Sequence, residues 1–150
     1  MATLKEQLRT DLTAAMKARD ELRTATLRMV LAAVSAEEVA GKEARELSDD
    51  EVQAVLRREA KKRREAAEAF AGAGRAEQAE RENAEGDVVA GYLPAQLDDA
   101  DLAALVADVI TRTGASGMKD MGRVMGAAQQ EVAGRADGGR VAAEVRQQLG

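Results

Sequence analysis

Lys119-Asp120-Met121-Gly122-Arg123-Val124-Met125-Gly126, followed eight residues later by Gly134-Arg135-Ala136-Asp137-Gly138, decides the fold class of this chain. Met121, Val124, Met125, Ala128 and Val132 fall at i, i+3, i+4, i+7 and i+11, one apolar stripe of a helix. Gly122 and Gly126 lie a turn apart on it. Each glycine costs roughly 1 kcal/mol against alanine inside a helix, so the pair predicts close approach of another backbone or a ligand. The second cluster reads as stop and restart: Gly134 in a left-handed C′ position, then Asp137 and Gly138 opening a helix that carries Val141, Val145 and Leu149.

Upstream, the same period recurs. Thr3 and Glu6 have capping-box spacing before the stripe Leu4, Leu8, Leu12, Ala15 and Met16. Asp20 is placed to cap a second helix containing Leu27, Val30 and Val34, which Gly41 is expected to end. Ser48 and Glu51 repeat the capping-box spacing ahead of Val52, Val55 and Leu56, in a helix that reaches Phe70. Gly72-Ala73-Gly74 is a short break, so the Ala/Glu/Arg-rich helix from about Arg75 to Val89 should fold back as an antiparallel hairpin. Its apolar face is thin. Tyr92-Leu93-Pro94 must turn the chain, because proline cannot sit inside a helix and pushes the preceding residue out of helical geometry. Asp98 or Asp99 then caps a helix with Leu102, Leu105, Val106, Val109 and Ile110. The expectation is an all-α protein: an amino-terminal helical hairpin or bundle over residues 1–93, then a three-helix unit over 95–150, with the boundary at Pro94.

Composition agrees with helices and excludes several chemistries. One Phe, one Tyr and no Trp leave the core to aliphatic residues and alanine, without the alternating β-branched runs of a sheet. Cysteine and histidine are both absent, which removes disulfides, thiolate and imidazole metal sites, and Ser-His or Cys-His nucleophiles. No cofactor is implied. No leader-like segment opens the chain and no stretch approaches the roughly 18 apolar residues of a membrane span, so a cytoplasmic monomer without membrane contact is expected.

The glycine signature, together with Leu27-Arg28-Met29-Val30 and Tyr92-Leu93-Pro94-Ala95-Gln96-Leu97, resembles the GatB/YqeY family. That family joins small YqeY-like proteins to the tail domain of the B subunit of aspartyl/glutamyl-tRNA amidotransferase. Four blocks in the right order carry the resemblance along the whole chain; the subunit's catalytic core has no counterpart here. What it implies is a helical tail that engages tRNA or a tRNA-processing enzyme, and a link to carbon-nitrogen ligase chemistry with glutamine as amido-N donor. No catalytic constellation stands behind such activity in this chain, so it would lie in a partner, with the chain as an accessory component; a purely protein-binding module is the other alternative.

Two basic groups are candidates. Lys119, Arg123, Arg135 and Arg140 surround the signature, near helix amino-termini at Ser116 to Lys119 and after Asp137 whose N–H groups could receive a phosphate. The resemblance makes these four the RNA-binding choice; solubilising charges around packing glycines are the alternative. Arg57, Arg58, Lys61, Lys62 and Arg64 form a second patch on one long helix. There a solvated face offset by neighbouring glutamates is the plainer reading, and a net charge of -5 favours it. Carboxylate pairs such as Asp49-Asp50 and Asp98-Asp99 are explained by capping. Tyr92, Leu93 and Leu97 read as a linker anchor tucked between the units.

Overall fold

Side-chain caps set the helix starts. In the computed structural model, which describes residues 2–150, Thr3 with Glu6 and Ser48 with Glu51 form complete capping boxes. Asp20, Asp98 and Asp137 each accept the N–H three residues on. The helices so opened are α1 (Leu4–Lys17), α2 (Glu21–Glu38), α3 (Asp49–Gly72), α5 (Asp99–Thr113) and α7 (Gly138–Leu149). Helices α4 (Ala76–Ala90) and α6 (Met121–Val132) start without a side-chain cap, α6 growing out of a 3-10 turn at Met118–Asp120. Among the described residues there is no strand, so the all-α expectation holds.

The chain falls into two compact units that meet between Leu93 and Pro94. In the first, Leu8, Leu27, Val30, Val34, Val52, Leu56 and Val89 are buried together, drawn from α1 to α4. Met16, expected on the α1 stripe, is instead 49% exposed, because the stripe has rotated outward by the last turn. Tyr92 and Leu93 pack against this core. In the second unit Leu102, Val106 and Val109 of α5 meet Val124, Ala128 and Val132 of α6 and Val141 and Val145 of α7. Leu97 joins that core, and its N–H donates to the Arg135 carbonyl at 2.8 Å, fixing the segment after Pro94 to the α6–α7 turn.

Helix ends carry the backbone constraints. Arg19 N–H bonds the Met16 carbonyl and Asp20 N–H the Ala15 carbonyl, a Schellman motif after α1. Its left-handed position, ordinarily glycine, is Arg19 at φ 56°. That conformation costs a non-glycine residue roughly 1–2 kcal/mol. After α6 both Ala133 and Gly134 are left-handed, so the expected Gly134 turn begins one residue early. Helix α2 stops at Glu38, short of Gly41, because the Glu38 carbonyl accepts Arg45 N–H and its carboxylate is drawn to Lys5.

Helices α3 and α4 pack along each other, as the short Gly72 to Gly74 break implies. Ala67 and Ala79 are the buried residues of the outer part. Nearer the core, the half-buried Arg63 guanidinium lies 3.2 Å from Glu82 and 3.7 Å from Glu85. A Cβ on Gly86 would stand 3.4 Å from the Arg63 Cβ, so α3 and α4 approach closely here and a larger residue would meet the facing helix.

Candidate nucleic-acid interface

Helix α6 buries Val124, Ala128 and Val132 and half-buries Met121 and Met125. The opposite face presents Gly122, Arg123, Gly126 and Gln129 to solvent. A Cβ built on Gly122 or Gly126 meets nothing within 4 Å. The close approach expected from these glycines is therefore not made inside the unit: they sit a turn apart on the outward face, off the apolar stripe, and leave the backbone bare there. Lys119, exposed in the 3-10 turn, and Arg123, exposed one turn later, flank this strip.

The four cations chosen from the sequence do not converge. Arg135 and Arg140 follow the carboxy-terminal end of α6, a helix about 18 Å long at 1.5 Å per residue, whereas Lys119 and Arg123 stand at its start. Arg135 is half-buried rather than exposed as expected: its Nε donates to the Val132 carbonyl at 3.0 Å and its Nη2 to the Glu131 carbonyl at 2.7 Å. It satisfies the last carbonyls of α6, where a cation is favoured by the helix dipole. Arg140 reaches across to α5, its guanidinium 3.0 Å from the Asp99 carboxylate. Both are fastened within the unit.

The amino-terminal ends proposed for phosphate already hold carboxylates. Asp120 accepts the Ser116 N–H at 2.9 Å and lies 3.2 Å from Arg123. The Ser116 bond first, then the nearby positive charges of Arg123 and Lys119, hold its carboxyl below the usual range. Asp137 accepts the Arg140 N–H at 2.9 Å. Gly138, first residue of α7, would set a Cβ 3.5 Å from the Gln129 side chain, an ordinary contact.

On α3 the second patch is largely spoken for. Arg58 pairs with Glu37 at 3.4 Å, Lys61 with Glu65 at 4.0 Å, and Lys62 with the buried Glu59 at 3.5 Å. Arg57 is half-buried. The arrangement has the features of the solvated, charge-balanced face.

Two polar constellations escaped the sequence. Lys5 Nζ donates to both Glu38 oxygens, at 2.8 and 2.9 Å, with both side chains nearly buried, and Glu38 also accepts Leu47 N–H. Tyr92 donates its hydroxyl proton to Asp11 and accepts from Arg23 at 3.0 Å, with the guanidinium 5.9 Å from the ring centre. Burial first, then the Asp11 bond, pushes the phenol up to about 12. The partners lie 33, 69 and 81 residues apart, so no local spacing announces them. Lys5 on the buried side of α1 was the only available signal. Among the described residues no three acidic side chains are grouped to hold a metal ion, and no helix is long and apolar enough to cross a membrane.

A protein-family model described as Yqey-like protein matches residues 5–149. No curated protein matches the chain.

Proposed function

The chain belongs to the YqeY-like family, and from that footing we propose that it is a non-catalytic helical adaptor of the cytoplasm whose carboxy-terminal unit touches the backbone of tRNA through the outward face of α6. One observation carries the reading. Two glycines a turn apart, each unfavourable in a helix, are exposed with open space above them, Gly122 between Lys119 and Arg123 and Gly126 one turn further along. A bare helix backbone lets a sugar-phosphate chain come close while the two cations neutralise it. The family's relation to the amidotransferase tail makes tRNA the first ligand to try. In this reading any carbon-nitrogen ligase chemistry belongs to a partner, and Arg135 and Arg140 serve the scaffold.

The test is tRNA binding as a function of salt. Affinity should fall by roughly 0.7 to 0.9 logarithmic units per phosphate contact per decade of salt, and replacing Lys119 and Arg123 together by alanine should flatten that slope by one to two units. Gly122→Glu should weaken binding without unfolding the unit, since its side chain has room. No binding at low salt, or binding lost only when Arg57 and Lys61 are neutralised, would remove the proposal.

A further inference from the structure

The turn between α1 and α2 has a surface that the carboxy-terminal reading does not use. Met16, Arg19, Glu21, Thr24, Ala25 and Arg28 line a shallow depression of about 370 Å³. Among its lining residues Thr24 and Ala25 are small and Met16 is an exposed large apolar side chain. Arg19 and Arg28 also line it and, among the described residues, enter no ion pair, whereas Arg23 of α2 is engaged with Asp11 and Tyr92. Glu21 is the one acidic residue lining it.

Arg19 is the informative member. It holds the left-handed position of a complete Schellman motif, where glycine would be relaxed, and among the described residues its guanidinium enters no ion pair or hydrogen bond. The arginine therefore sits there at a conformational cost that the fold does not recover. Beside it, a flexible thioether is laid open to solvent on a helix that otherwise buries its apolar side.

We infer that this depression docks an acidic amphipathic helix of a partner protein, one apolar side chain entering over Ala25 against Met16 while carboxylates meet Arg19 and Arg28. Charge complementarity favours this occupant: two unpaired cations face outward from a chain whose net charge is -5. A nucleic acid fits less well, because a methionine wall offers no phosphate contact and the chain's two aromatic residues, Phe70 and Tyr92, are not among the lining residues on which bases would stack. Glu21 would set the register by demanding a neutral or basic residue opposite it.

The experiment uses the full chain with carbon-13 methyl-labelled methionines, titrated with a synthetic helical peptide bearing leucines at i, i+4 and i+7 flanked by glutamates. The Met16 methyl resonance should move saturably while those of Met121 and Met125 stay in place. Arg19→Gly should keep or raise the thermal midpoint yet weaken the peptide roughly three- to tenfold, and Arg28→Gln should weaken it comparably. The inference is overturned if Met16 does not respond, if a lysine-flanked peptide binds as well, or if Arg19→Gly binds unchanged. It is equally overturned if tRNA moves Met16 in place of the peptide, or if dilution of the protein alone moves it, which would mean a second copy is the occupant. None of these outcomes depends on Lys119 or Arg123.

Discussion

At Gly122 and Gly126 a missing side chain has a measurable cost. Because a Cβ at either position has open space, alanine should remove the glycine penalty and stabilise the carboxy-terminal unit by up to about 1 kcal/mol per site. Denaturant melts of Gly122→Ala and Gly126→Ala measure this; a loss of stability would mean that the backbone there is already covered. Tyr92 supplies the pH-dependent counterpart. Its phenol is raised from 10.0 to about 12, so its contribution is whole below pH 10 and fades as pH rises through 12. With the ring partly open to water that contribution is of order 1 kcal/mol after screening. Tyr92→Phe should lower stability at pH 7 by about 1 kcal/mol and remove the part of the alkaline loss that falls between pH 10 and 12. Glu51 works in the opposite sense: bonded first by Arg45 and then by the Ser48 N–H, its carboxyl falls from 4.5 to about 2, so its help is lost as pH drops through that value.

The α3–α4 hairpin is uneven along its length. Its inner part carries Val52, Val55, Leu56 and Val89, its outer part little more than Ala67 and Ala79. Amide exchange should accordingly be faster over residues 66–80 than over 52–60. Gly86→Leu should cost about 1–3 kcal/mol by forcing α4 away from Arg63, whereas Gly126→Leu should not, since only the first site faces another helix. This contrast measures how far the sequence could be read. Caps and periods are local, so Thr3, Asp20, Ser48, Asp98 and Asp137 announced their helices, and Val124, Ala128 and Val132 their core. Which face a glycine occupies depends on what packs opposite, so Gly86 passed unremarked while Gly126, expected at a close approach, has open space above it. The basic residues suffered similarly: their presence was legible, but the fastening of Arg135 to its own helix end and of Arg140 to Asp99 was not, because both depend on how chain segments meet.

For the whole molecule, the separate cores on either side of Leu93 and Pro94 lead us to expect two independently stable units. Limited proteolysis should cut between residues 90 and 97 or at the Gly72 to Gly74 turn, and a fragment from Ala95 onward should remain helical and melt cooperatively; a fragment that unfolds on release would contradict this. The amino-terminal unit has a further property, visible in where its first helix finds its partners. Lys5 donates to Glu38, Leu4 N–H donates to Asp49, and Asp11 accepts from the Tyr92 hydroxyl. On a ribosome these arrive in succession, the last of them one residue ahead of the final residue of the unit. A chain stopped before Tyr92 would hold Asp11 of α1 to Arg23 by their 3.9 Å ion pair alone, without the phenol that bonds both. The residue that closes the polar network around α1 is thus almost the last of its own unit, so a truncation only two residues short of the boundary should already loosen the first helix.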